Sequence, residues 1–179
     1  GHIALSAGAG LREAGGSLEL TSGTSHSSGH ICIRSETAAE TSGDIEVSSG
    51  DASNGVTGGL TLSTGTESNR GGTISISVGF SFSGYAGNVN MCAGSSPEAA
   101  YGGGGSIEIA AGSGDTGGSL ALKSGEGSSD HGGFLEISAG ASSSGPGGNT
   151  AIVAGDGSEG GSVSVAAAHS SDACGGELE

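Results

Sequence analysis

The side chains most able to do chemistry in this chain are three cysteines and five histidines: Cys32, Cys92 and Cys174, with His2, His26, His30, His131 and His169. None of the histidines has a serine or cysteine partner in a recognisable nucleophile setting, so no acyl-transfer machinery is legible. His30 and Cys32 stand two residues apart and would leave an extended chain on the same side, as a soft-metal pair. Two ligands fall short of a structural zinc site, which takes four. The abundant glycines do not form a phosphate loop: no Gly-x-x-x-x-Gly-Lys-Ser/Thr occurs, and the Gly-x-Gly pieces precede no helical pattern. Carboxylates gather instead in short polar stretches, at Asp51, Asp115, Glu126, Asp130, Asp156, Glu159 and Asp172. That chemistry suits weak binding of divalent cations at individual loops. The expectation is therefore no catalytic residues, no cofactor and no dedicated metal site.

Composition narrows the partners. Four basic residues against 19 acidic ones give a formal charge of −15 in a chain of 179 residues. Such a surface repels phosphate backbones, which argues against nucleic acid, and it is equally unsuited to anionic lipid. No apolar run approaches the length of a membrane span. Glycine accounts for 41 residues, aromatics for 3% and tryptophan for none. A glycine-rich chain is costly to order, because glycine loses the most backbone entropy on folding. Collagen is excluded, since glycine does not recur at every third place and there are two prolines.

What opposes disorder is a repeat. The phrase is a glycine pair or single glycine, one residue, an aliphatic, one residue, an aliphatic, two residues, then glycine. It reads clearly at Gly16-Ser17-Leu18-Glu19-Leu20-Thr21-Ser22-Gly23 and again at Gly118-Ser119-Leu120-Ala121-Leu122-Lys123-Ser124-Gly125. The first aliphatic place falls at Ile3, Leu18, Ile31, Ile45, Leu60, Ile74, Val89, Ile107, Leu120, Leu135, Thr150 (the exception in type) and Val163, with Leu178 starting another copy. The steps run from 13 to 18 residues. A linker of glycine and serine has no reason to keep two aliphatic places fixed, whereas stacked repeat architectures do. The chain opens inside one phrase and stops just inside another. It reads as a mature piece, or a segment of something longer, without a targeting sequence.

Within a phrase, aliphatic and polar residues alternate, the period-two pattern of a strand with one buried face. The third inward place is small: Ala7, Ser22, Ser35, Ser49, Thr64, Ala93, Ala111, Ser124, Ala139, Ala154 and Ala167, with Val78 the larger exception. Between phrases lie short polar stretches such as Thr24-Ser25-His26-Ser27-Ser28. The pattern predicts an all-β chain: one β-solenoid domain over 1–179, thin and two-sided, with about 12 coils of 14–15 residues and loop insertions near 79–86 and 95–105. Its inward residues would be the aliphatic pairs from Ile3/Leu5 to Val163/Val165. At a spacing of about 4.8 Å per coil the stack would be about 58 Å long. Two repeats per coil is the competing geometry. With one repeat per coil Arg34 would stand in the column beside Glu19 and Glu46, one coil below and one above, and Lys123 likewise beside Glu108 and Glu136.

In such a stack Cys32 and Cys92 would lie four coils, about 19 Å, apart, beyond the reach of a disulfide. Cys174 would be further still, so the three thiols are either free or candidates for bonds between chains. The aromatic residues Phe80, Phe82, Tyr85 and Tyr101 fall in the two insertions, as a local cluster or as contacts with another chain. No Asn-x-Ser/Thr occurs at Asn54, Asn69, Asn88, Asn90 or Asn149, so N-linked sugar is not expected, while the Ser/Thr-rich stretches leave O-glycosylation open.

Two resemblances bear on function. Solenoid antifreeze proteins share the short repeat and small residues, but they present stacked Thr-x-Thr. Here only Thr61, Ser63, Ser75 and Ser77 form a hydroxyl patch, and charged residues interrupt both outward columns. Calcium-binding β-rolls carry a nine-residue repeat that is approached once, at Gly112 to Gly118, off period. Across its length the phrase resembles tandem Gly-Gly-x-aliphatic-x-aliphatic-x-Ser/Thr-Gly proteins of microbial and protist surfaces and fibrous appendages. That resemblance implies a structural, extracellular or cell-surface rod or filament component without enzymatic activity, its partners being itself or other fibre subunits. Ice binding is the alternative, followed by an adhesin or display stalk.

Overall fold

A computed structural model describes residues 1–10, 14–66, 70–96, 102–129 and 131–168, in two units, Gly1–Val89 and Asn90–Glu179. Among the described residues there is neither helix nor β-strand, and no residue is buried. The all-β solenoid expected from the alternation is therefore wrong, in both its one-repeat and its two-repeat forms. The aliphatic pairs from Ile3/Leu5 to Val163/Val165 do not face a core; all of them are exposed. The chain is largely coil, yet the coil is regular.

Its regularity comes from the glycines at the ends of each polar stretch. The N–H of the glycine that opens a phrase donates to the carbonyl of the glycine that closed the phrase before it. Gly16 N–H bonds to the Gly8 oxygen at 2.8 Å, Gly29 to Gly23 at 3.1 Å, Gly105 to Gly94 at 2.8 Å and Gly133 to Gly125 at 2.9 Å. Gly118 to Gly112, Gly148 to Gly140 and Gly161 to Gly155 repeat the bond at 2.9 Å each. The stretch between is pinched off as a closed loop, of the kind whose ends meet. Bends fall between phrases, at 25–27, 39–40, 53–55, 82–84, 114–116, 128–129, 143–145 and 157–159, and among the described residues none falls inside a phrase.

The neck also explains the small residue at the end of each phrase. A Cβ added to the opening glycine would meet the small side chain of the preceding phrase: Ala7 from Gly16 at 3.3 Å, Ala111 from Gly118 at 3.4 Å, Ala154 from Gly161 at 3.4 Å. Where no neck bond forms the approach persists, at Ser35 from Gly43 and Ser49 from Gly58, both at 3.8 Å, and at Thr64 from Gly72 at 3.1 Å. The larger Val78 comes to 2.9 Å of the same place on Gly87. The sixth place is small because the backbone returns across it, not because it turns a coil inward. Ser22 adds a second link, its Oγ donating to the Gly29 carbonyl at 3.0 Å.

The closed loops bond the glycines at their own ends and leave the phrases unpaired with one another. With two aliphatics per repeat, stacking would also gain little apolar burial against the cost of ordering glycine-rich backbone, which runs to about 1–2 kcal/mol per residue. The charge columns fail for the same reason. The ion pair of Arg34 is to Glu36 in its own repeat, Nε to Oε1 at 3.6 Å and exposed, not to Glu19 or Glu46. Such a pair contributes little in water.

The neck makes a local prediction. A Cβ on Gly133 would lie 3.0 Å from the Gly125 nitrogen and 3.2 Å from its oxygen, both backbone atoms that cannot swing aside, whereas Gly132 has open space around it. Gly133→Val is expected to open the neck and speed amide hydrogen exchange at residue 133 by about tenfold or more, as a bond worth roughly 1 kcal/mol or more is lost. Gly132→Ala should leave it unchanged. Equal protection in both variants would show that the bond does not hold the loop.

Candidate functional site

Among the described residues, no three His, Cys, Asp or Glu side chains gather at one point. Cys32 and Cys92 are free and exposed, on separate phrases, and Cys174 lies outside the described residues. Beside Cys32 the structure places Arg34, whose Nη1 is 3.9 Å from the sulfur. Among the described residues no group of three His, Cys, Asp or Glu side chains could hold a metal ion. Asp51, Asp115, Glu126, Asp156 and Glu159 are exposed on their loops, while Asp130, Asp172 and His169 fall outside the described residues. A shallow, open depression lies within one loop, lined by Ser35, Glu36, Thr37, Ala38, Glu40 and Ser42, too open to exclude water from a reaction. No helix among the described residues is long and apolar enough to cross a membrane.

The insertion loop from Gly79 to Gly87 brings two of its aromatics together. Phe80 and Phe82 meet edge to face, centroids 5.1 Å apart at 86°, yet both rings remain largely exposed and Tyr85 stands clear of them. Ser81 Oγ donates to the Ser83 carbonyl at 3.2 Å, and Gly84 takes φ +96°, a left-handed turn that only glycine adopts without strain. Tyr101 lies outside the described residues. Of the hydroxyl residues, Thr61 and Ser63 are exposed on one phrase and Ser75 and Ser77 on the next. No backbone bond joins those two phrases to hold the four hydroxyls in one plane.

The feature that recurs most regularly is apolar. From Leu18 onward the first aliphatic of each phrase is 50–60% exposed and the second 57–70%. The same environment recurs from Leu18/Leu20 to Val163/Val165 although the loops between differ in length. The neck-closed loops span 6 residues from Gly23 to Gly29 and 11 from Gly94 to Gly105, yet each closes at 2.8–3.1 Å. Every phrase that follows runs seven residues from its opening glycine to the next closing place, as from Gly105 to Gly112 and from Gly118 to Gly125. Length variation thus falls in the loops, and within each unit the phrases keep one length and one aliphatic pattern. Sequence reading found these residues but assigned them to the interior; their exposure and the loop closure that causes it were the missing elements.

No protein family, no characterised protein and no solved structure matches this chain at a meaningful level.

Proposed function

We propose that this chain is a structural protein, acting outside the cell or on its surface as the repeating part of a filament. The observation that carries the reading is the exposed, evenly repeated aliphatic track. Exposed aliphatics on this scale mark an association site, and their recurrence phrase after phrase within each unit fits a repeating assembly better than a single docking event. The accessible surface of the single chain is 17937 Å². A folded monomer of 16.6 kDa exposes about 7,600 Å², so association has ample surface to remove. The resemblance to tandem-repeat surface proteins supports the location, and the acidic loops keep the chain soluble and give divalent cations places to bridge. The reading assigns no catalysis, since hydroxyls and carboxylates are spread along the chain rather than gathered at one point.

Electron microscopy of the purified protein tests this. Fibres with a regular axial repeat are the expected result. Single particles at every concentration would overturn it, and single particles that shape growing ice crystals would replace it with ice binding through the Thr61, Ser63, Ser75 and Ser77 patch.

A further inference from the structure

We infer that Asn54 and Gly55 form a self-modifying site, at which the native chain converts the Asn54 amide to aspartyl and isoaspartyl acid through a cyclic imide. The site lies within one unit and does not depend on association of copies.

The reacting groups are covalent neighbours. The backbone nitrogen of Gly55 attacks Cγ of Asn54, an intramolecular step favoured by proximity. As the new N–C bond forms, the C–N bond of the side-chain amide breaks, and the amide nitrogen leaves as ammonia with the proton that Gly55 gives up. Water then opens the imide at either carbonyl. Opening at the side-chain carbonyl gives aspartate in an ordinary backbone. Opening at the main-chain carbonyl gives isoaspartate, with the backbone running on through Cβ and Cγ. Each event releases one ammonia, adds one water overall after ammonia is lost, and needs no oxidant or metal. It adds one carboxylate to a chain whose formal charge is already −15.

Three things ordinarily suppress this reaction: a nitrogen held in a hydrogen bond, a side chain crowding it, and a packed fold that rarely opens. None of them protects Asn54. It stands exposed at the centre of the bend 53–55. The Gly55 N–H is in none of the backbone bonds that close the necks. Glycine sets no Cβ beside the attacking nitrogen, and the space that a Cβ would take there is open. No residue among those described is buried, so no core clamps the loop.

The other amides differ. The chain has no glutamine, and its remaining asparagines are Asn69, Asn88, Asn90 and Asn149. Asn69 lies outside the described residues. Asn88, Asn90 and Asn149 are exposed too, but none is in a bend, and they precede Val89, Met91 and Thr150. Those side chains crowd the nitrogen, the β-branched pair most. The three therefore serve as internal controls within the same molecule.

The full-length protein and its Gly55→Val variant are incubated in warm, neutral buffer made with heavy-oxygen water, then digested and sequenced by mass spectrometry. Asn54 should convert at least about tenfold faster than Asn88, Asn90 or Asn149. The product should contain isoaspartate and carry heavy oxygen, and conversion should be faster at about pH 8 than at about pH 5, since the nitrogen must lose its proton. The open space at Gly55 accommodates valine, and the variant should slow Asn54 by about tenfold or more while the three controls keep their rates. In guanidinium the wild-type rate should stay within about twofold of the native one, because no core protects the site. Asn54 as durable as the controls overturns the site, and so does heavy oxygen in aspartate with no isoaspartate, which would mean direct hydrolysis. A rate in guanidinium about tenfold or more above the native rate overturns it as a property of the native chain.

Discussion

Diluting this protein is expected to abolish its cooperative thermal transition. A chain of 16.6 kDa exposes about 24,000 Å² when unfolded and about 7,600 Å² when folded as a compact monomer. The single chain's 17937 Å² stands much nearer the first figure. Unfolding the isolated chain therefore exposes little further apolar area, and both the heat-capacity step and the cooperativity that follow from such exposure are small. Once copies cover the aliphatic track, melting and dissociation become one event, and its midpoint depends on concentration by mass action. A tenfold change in concentration is worth about 1.4 kcal/mol per association step, or roughly 3–6 °C in midpoint for a chain of this size. Calorimetry across a hundredfold concentration range measures it. A sharp transition with the same midpoint and enthalpy at every dilution would mean that one chain holds a core of its own.

Salt should strengthen the association, not weaken it. Each chain carries a formal charge of −15, and bringing copies side by side concentrates that charge. The four basic residues can organise the contact but cannot offset the long-range repulsion. Raising sodium chloride from about 10 mM to about 150 mM shortens the screening length from about 30 Å to about 8 Å. The repulsion between loops on neighbouring copies falls accordingly, while burial of the aliphatics is unaffected. Sedimentation velocity should show at least about tenfold tighter self-association over that range, in keeping with the several kT such fields carry. Millimolar calcium at matched ionic strength should add to the effect if carboxylates such as Asp156 and Glu159 bridge copies through the cation. Dissociation on adding salt would show that attraction between opposite charges, rather than the aliphatic track, holds the copies together.

The same residues show where sequence reading succeeded and where it stopped. The phrase from Gly118 to Gly125, its two aliphatics, its small sixth residue and the glycines at its ends were all legible, because each is a fixed requirement on side-chain type. What alternation at Leu120 and Leu122 could not supply was the identity of the surface that covers them. A period of two specifies two faces, and it is satisfied equally by the chain's own next repeat and by another molecule.

That choice was made at the necks. Glycine at both ends of a polar stretch permits a sharp reversal that would stack one phrase on the next, and it equally permits the close backbone approach that seals the stretch as a loop. Composition does not separate these outcomes. The tertiary structure does, through the Gly118 N–H bonded to the Gly112 oxygen at 2.9 Å and its counterparts along the chain. The side chains thus determined the repeat, its charge and its apolar track. Only the folded backbone decided that the track faces outward, because a hydrogen bond between two glycines depends on how the intervening residues bend, and no side chain at either glycine records it.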